Sequence, residues 1–579
     1  CLGASRHPSA YADAPIGNRR VGVGRWVARS AQASRFPIGA SAQADGWCEA
    51  PRQADFQSAR RRRPTGGAKR PGRPISNRRD RREGIDRRVG RSALNMPRTK
   101  IICTIGPASQ QPEIVRGLIR AGMNVARINF SHGDQETHAR TIAGVREIAA
   151  QERCQVAVMA DLPGPKFRVG EIPGDGITLH KGETVTLTAF SHPNHNGDND
   201  AHQVIPVPHP DLLRDLQPGQ TVLLDDGSIE LVVQQAGEGT LLCRVVNEGH
   251  LSSHKGINVP GAVLRFSALT ARDRELALFA IGQGVDFFAL SFVRRPADVR
   301  ELRQFLRKRG ADTPIIAKIE KPEALSVFDE ILAEADGVMV ARGDLGVETP
   351  AEEVPFHQKR IIRACNQAGK PVITATQMLQ TMIEHPHPTR AEASDVANAI
   401  LDGTDAVMLS GETAVGRYPV EAALTMARIC ANAEVHLPHG RLLYGEMKKK
   451  DVPKTITEAI SCAAVEIAGE VEARAIITAT MSGQTARMVA RHRPRVPIVA
   501  VTPSERTLYS LSLVWGVKPV LVGEFSNTDD MVKMMVQAAC EHGTVAWGDP
   551  IVLTAGIPFG SGGETNMLKV HVVGEESEM

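Results

Sequence analysis

The stretch IAKIEKPEA (316–324), followed by ADGVMVARGDLGVE (335–348), decides how this chain folds. Lys318 and Glu320 lie two apart in the apolar run PIIAKIE, and strand periodicity turns both side chains to one face. Asp344 ends a second buried run, GVMVARGD, whose Gly343 lets backbone come close to a ligand. Two carboxylates and one ammonium are therefore expected to converge where the two strands finish. Carboxylate oxygens suit Mg²⁺ (or Mn²⁺), and Lys318 is placed to neutralise charge growing on a substrate oxygen. The plainer alternative is a structural ion pair between Lys318 and Glu320. Burying charges is costly, and same-face neighbours at a strand end more often serve a ligand than staple a fold.

Outward from these two strands, one rhythm of short apolar strand and amphipathic helix begins at residue 99. Strands are expected at 99–105, 124–130, 156–161, 287–292, 314–320, 337–342, 371–377 and 406–411. Helical patterns separate most of them, such as EIVRGLIRAG (113–122) and RAEASDVANAILDG (390–403), many closing on Gly. Eight such units predict an α/β fold, a closed parallel (β/α)8 TIM barrel of residues 96–170 and 266–440, with its active site at the strands' C-terminal ends. Residues 171–265 break the rhythm with alternating segments such as GETVTLTAF (182–190) and GTLLCRVVNEG (239–249). They predict a small inserted β-barrel domain on the catalytic side, able to close as a lid. From 455 to 579 a third unit reads as an open C-terminal α/β regulatory domain.

A length of 579 residues suits three or four domains, and 42% hydrophobic with 23% charged residues is ordinary for globular protein. No run approaches the roughly 18 to 20 apolar residues of a membrane span. Nine scattered cysteines without a CxxC motif suggest free thiols in a reducing cytoplasm. Residues 1–95 hold 20 Arg and one Lys against seven acidic residues, a net charge of +14, which leaves −10 for the rest of a chain totalling +4. An acidic body argues against nucleic-acid binding by that body. The Arg-rich leader, with runs such as RRRR (60–63), reads as disordered. Sequence upstream of the real start, an organelle-targeting segment and a nucleic-acid-binding tail compete to explain it. Cys1 in place of Met, and Met96 just before the first strand, favour the first.

Further candidates fall at other strand ends. In ARINFSHG (126–133), Arg127, Asn129 and Ser131 share one face of the second strand, suited to gripping a phosphate and a cation or nucleotide. An arginine paired inside the barrel is the alternative. ADLPGPKFR (160–168) offers Asp161, Lys166 and Arg168, and SSHKGIN (252–258) places Lys255 in a Gly-flanked loop of the lid. Thr376 and Ser410 end the seventh and eighth strands, where hydroxyls are often only hydrogen-bonded structure.

IAKIEK (316–321), MVARGDLGVE (339–348), ATQML (375–379), PTRAEASDVANA (388–399) and MLSGETA (408–414) together resemble the pyruvate kinase family over about residues 98–578. The resemblance implies Mg²⁺-dependent transfer of a phosphoryl group from phosphoenolpyruvate to ADP, giving pyruvate and ATP. It makes Glu320 and Asp344 the Mg²⁺ ligands and Lys318 the group that stabilises the transferring phosphoryl and the enolate. Arg127 would hold the phosphate, Gly343, Asp344 and Thr376 would line the substrate, and Asn129, Phe130, Ser131, His132, Arg168 and Lys255 would handle nucleotide. Thr376 and Ser410 could relay a proton to the enolate through water. One departure concerns the monovalent-cation position of Asn129, Ser131, Asp161 and Leu162: potassium-dependent relatives carry a hydroxyl residue and a glutamate where this chain has Leu162 and Lys166. A lysine ammonium can take the cation's electrostatic role, so K⁺ is expected not to be required.

In ATMSGQTAR (479–487), Thr480, Ser482, Gln484 and Thr485 stand at a helix start, where relatives bind a sugar-phosphate or nucleotide effector; ordinary capping explains Ser482 and Thr485 nearly as well. The Gly-rich loop GIPFGSGGETN (556–566) could close over that site, with AMP or a sugar phosphate as effector. Relatives are commonly homotetramers. Two other functions remain open: a Mg²⁺-dependent barrel lyase acting on pyruvate-like substrates, which would not need Lys255, and a nucleic-acid-binding role confined to the leader.

Overall fold

The computed structural model describes residues 96–189, 203–262, 264–437, 455–559 and 564–575. The leader and every expectation about it lie outside the described residues. Eight strands close a barrel: Lys100–Ile105, Met123–Asn129, Ala157–Leu162, Phe287–Leu290, Ile315–Ile319, Gly337–Ala341, Val372–Ala375 and Ala406–Leu409. Each pairs in parallel with its neighbours in sequence, and Lys100 opposite Ala406 joins the last strand to the first. Almost every strand residue is apolar, because the pleat turns one set inward and the other toward the helices. Ile102, Met159, Ile316, Met339 and Met408 fill the inside, so the barrel is a packed core rather than a pore. Ile101, Val158, Phe288, Ala317 and Val340 pack outward with the helices.

Helix ends follow the chemistry of their residues. The helix Pro112–Ala121 stops at Gly122, whose φ of 109° admits only glycine comfortably. Arg390–Leu401 starts at a reciprocal capping box of Thr389 and Glu392. At the sixth strand the structure departs from expectation. The strand ends at Ala341, and Arg342–Glu348 forms a short helix, so Asp344 sits in a first helical turn rather than on a strand end. Strand pairing stops there because the chain must turn over the barrel mouth.

Between the third and fourth barrel strands, a six-stranded sheet and a separate two-stranded ribbon enclose one apolar core, including Leu179, Val222, Leu231 and Leu251. All their pairings are antiparallel except the edge pair Thr184–Thr188 with Gln203–Pro206, which is parallel. The C-terminal sheet has five strands with Ala475–Ala479 at its centre, and its last strand, Met567–Val572, runs antiparallel on Pro550–Ala555. Arg493 pins this sheet's first helical crossover to the barrel. Only 1% exposed, it donates to Asp405 Oδ1 at 2.8 Å and Asn366 Oδ1 at 3.0 Å. No helix among the described residues is long and apolar enough to cross a membrane.

Candidate active site

Asp161, at the end of the third strand and 2% exposed, organises the barrel mouth. Its Oδ2 accepts from Arg127 Nε at 2.7 Å, and its Oδ1 lies 3.3 Å from Lys318 Nζ. Arg127 also donates from Nη1 to Thr104 Oγ1 at 2.9 Å, which fixes the guanidinium across the first two strands. Lys318 Nζ reaches Ser291 Oγ at 2.7 Å and Glu320 Oε1 at 2.8 Å. The Lys318 to Glu320 ion pair that the sequence offers as its plainer reading is thus present, as one contact of several. Glu320 Oε2 accepts from the Phe292 N–H at 2.8 Å, which fixes the carboxylate at both ends.

Burial alone would favour neutral side chains here, and the charges answer one another. It works against the Lys318 ammonium, yet Asp161 and then Glu320 outweigh it and raise the lysine above its ordinary value. Burial would raise Asp161 as well, but Lys318 and Arg127 hold its carboxyl below the usual carboxylate range. Glu320 goes the other way. Burial pushes it up, Lys318 opposes, and the negative charge of Asp344 adds to the rise.

Two facing carboxylates with a residual mutual repulsion suit a divalent cation. Among the described residues no third acidic, histidine or cysteine ligand completes a protein-only cage. That donor set fits Mg²⁺ or Mn²⁺, since Mg²⁺ typically takes one or two carboxylates and draws its other ligands from water and substrate phosphate. Gly343, in the same helical turn as Asp344, donates its N–H to Thr376 Oγ1 at 2.7 Å. Thr376 has a φ of 65°, held by Arg342, whose Nη2 donates to the Thr376 carbonyl at 2.8 Å and whose Nη1 binds Asp395 Oδ1 at 2.8 Å. The Thr376 hydroxyl donates to the Ala375 carbonyl at 2.6 Å, so its proton is engaged. Ser410 Oγ is buried and has no hydrogen-bond partner among the described residues.

The other candidates divide. Lys166 Nζ donates to Ser131 Oγ at 2.8 Å, and Asn129 Oδ1 accepts from the Ser131 N–H at 3.1 Å, so these three meet. Burial, followed by the charge of Lys318, lowers Lys166. Leu162 is wholly buried and Phe130 is 4% exposed, its ring 4.7 Å from that of His138. The Phe130 side chain therefore packs in the core, and its backbone is the part that can face a ligand. His132 is exposed, and burial, then Lys166 and Arg168, lower it. Arg168 donates to the His254 carbonyl at 3.0 Å, and Lys255 pairs with Asp225 at 2.9 Å. Arg168, just ahead of the insert, and Lys255 within it thus both point to partners in the insert.

Sequence reasoning missed Ser291, Arg342 and Asp395. A hydroxyl closing the apolar run FFALSF was a visible signal for Ser291; nothing local marks the long-range grip of Arg342. Thr480 and Thr485 line a small cleft with Phe559 and Thr565, and Ser482 and Gln484 share it. The tip of the Gly-rich loop, 560–563, lies outside the described residues.

The family model for the pyruvate kinase barrel domain matches residues 96–423, and that for the pyruvate kinase alpha/beta domain matches 458–571. A pyruvate kinase of Geobacillus stearothermophilus is 48% identical over 83% of this chain and 81% of its own length. One from Clostridium acetobutylicum is 44% identical over 83% of this chain and all of its own. The crystal structure of a pyruvate kinase from Cryptosporidium parvum superposes with a TM-score of 0.76 at 38% identity, covering 83% of this chain and 97% of that one. The fold, the charged barrel mouth and these relatives define a phosphotransferase built on a TIM barrel with a C-terminal α/β domain. The chain belongs to the pyruvate kinase family.

Proposed function

We propose that this chain catalyses transfer of the phosphoryl group of phosphoenolpyruvate to ADP, as a Mg²⁺-dependent cytoplasmic enzyme, with Glu320 and Asp344 as the protein ligands of the metal. The observation that carries the reading is the threefold contact of Lys318 with Asp161, Ser291 and Glu320, beside Arg127 on the same Asp161. It holds an ammonium and a guanidinium rigidly where negative charge moves during the reaction. Phosphoryl transfer needs little covalent chemistry from a protein and depends on positioning and charge neutralisation.

The divalent cation, when bound, supplies positive charge to the phosphoryl and enol oxygens. Arg127 binds the phosphate, and Asp161 keeps its guanidinium turned to the mouth. As the bond from phosphorus to the enol oxygen breaks and a bond to the terminal phosphate oxygen of ADP forms, Lys318 neutralises the enolate. The enolate carbon then takes a proton. The Thr376 hydroxyl already donates to backbone, so the Ser410 hydroxyl, unpartnered among the described residues, is the better placed of the two to order a water for that step. Asn129, the Phe130 backbone, Ser131, His132, Arg168 and Lys255 form the nucleotide side, and the insert closes as a lid over it.

The Lys166 ammonium on Ser131 supports turnover without K⁺. Activity in tetramethylammonium chloride should match that in potassium chloride, and activity in potassium alone would refute this. Regulation through Thr480, Ser482, Gln484 and Thr485 and a homotetrameric assembly complete the proposal. The direct test is the ADP requirement: pyruvate and ATP should appear together from phosphoenolpyruvate, ADP and Mg²⁺. Pyruvate released from another substrate with no nucleotide would favour a lyase instead.

A further inference from the structure

Lys321 follows Glu320 directly but takes no part in the contacts of Lys318. Pro322 restricts the residue before it to extended backbone, and Lys321 has a φ of −121° and a ψ of 140°. Its ammonium is buried between groups that follow two neighbouring strands. On one side it pairs with Glu348, at the end of the short helix after the sixth strand, whose side chain is wholly buried. On the other it lies 4.8 Å from the centre of the ring of Phe292, two residues past the fourth strand. Glu348 Oε1 accepts from both Lys321 and Asn258, while its Oε2 is buried without a partner among the described residues. A lone buried cation is costly, so Glu348 keeps the ammonium in place and the ring face shares its charge.

Phe292 is the unusual residue of this group. Its φ is 59°, a left-handed backbone that a bulky side chain adopts only where its surroundings impose it. The same backbone turn aims its N–H at Glu320 Oε2, 2.8 Å away. Two contacts hold the ring and with it the turn. Lys321 lies over the ring, and Gly164, on the segment leading into the insert, approaches so closely that a Cβ there would stand 3.4 Å from Phe292 Cδ2 and 3.1 Å from Ser291 Cβ. If Phe292 relaxed to ordinary backbone, its N–H would leave Glu320. The carboxylate would then be held at Oε1 alone, by Lys318, and could pivot about that contact.

We propose that Lys321 is a positioning residue of the divalent-cation site: through the ring of Phe292 it fixes the backbone N–H that orients Glu320. This role presupposes that Glu320 and Asp344 hold the cation. Lys321 touches neither the cation nor the substrate in this role; it acts only through Phe292. Groups that orient a metal ligand from behind typically change metal affinity by roughly 10- to 100-fold. A buried ion pair that merely staples the fold would act differently, since its loss lowers stability and leaves the metal site as it was.

Binding of Mn²⁺ to the full chain without substrate or nucleotide, followed by loss of the free-ion EPR signal, reads the site directly. Lys321→Met combined with Glu348→Gln removes both buried charges together, so neither is left stranded. This double variant should bind Mn²⁺ about tenfold more weakly, with a Tm near that of wild type. Phe292→Leu keeps an apolar side chain without the ring face and should weaken binding to a similar degree. Lys321→Arg keeps a cation over the ring and should retain most of the affinity. Glu320→Gln is the control for the metal site itself and should lose most of the binding. Wild-type affinity in the double variant and in Phe292→Leu, beside loss in Glu320→Gln, would overturn the role of Lys321 and leave the metal site standing. Wild-type affinity in Glu320→Gln would overturn the metal assignment and this role with it.

Discussion

Asp161 is a residue whose importance comes from position rather than type. As one more strand-end carboxylate it reads as a cation ligand; in the structure it joins Arg127 to Lys318. Asp161→Asn should lower phosphoryl transfer by about two orders of magnitude, because both cations lose the charge that orients them. The loss should fall mainly on kcat, and an unchanged kcat in steady-state assays would contradict this role. Glu320 gives a prediction about pH. Its carboxyl sits above the ordinary value because of burial and then Asp344, so protons compete with Mg²⁺ for it at mildly acid pH. The Mg²⁺ concentration for half-maximal activity should rise as pH falls from neutral, and a flat dependence would show that Glu320 is not a ligand.

At the scale of elements, one polar contact between insert and barrel runs through Asn258. Asn258, on the last strand of the insert, donates to Glu348 Oε1 at 2.9 Å, and Glu348 also pairs with Lys321, whose ammonium lies over the Phe292 ring. Phe292 in turn donates its N–H to Glu320, so the lid reaches a proposed metal ligand through three residues. Asn258→Ala should raise the KM for ADP severalfold and leave thermal stability nearly unchanged. A large fall in Tm with unchanged KM would make Asn258 a structural tie only.

The strands that form the barrel were legible because a strand buried on both faces must be apolar throughout, and chains of that kind separated by helices have few other ways to pack. Lys318 and Glu320 were legible for the same reason, as charges inside such a run. The short helix bearing Asp344 was not, since the seven residues Arg342–Glu348 are too few to show a helical period. Nor were the contacts of Arg342 with Asp395 and Asn258 with Glu348, which join residues 53 and 90 positions apart.

For the whole molecule, the C-terminal sheet is fastened to the barrel by a buried ion pair, Arg493 with Asp405, whose acid also accepts from the Trp515 N–H at 3.2 Å. Removing one partner leaves the other charge stranded, so Arg493→Ala should cost about 3–5 kcal/mol and lower Tm accordingly. A variant as stable as wild type would show that the seam is held elsewhere. The proposed chemistry at the other end of the barrel converges on one side chain. The most direct test is a coupled assay of pyruvate formation from phosphoenolpyruvate and ADP, comparing wild type with Lys318→Met at saturating Mg²⁺. Wild type should turn over and the variant should lose about 10³-fold or more in kcat with its fold intact. Near-wild-type turnover by Lys318→Met would contradict the central place given to that ammonium.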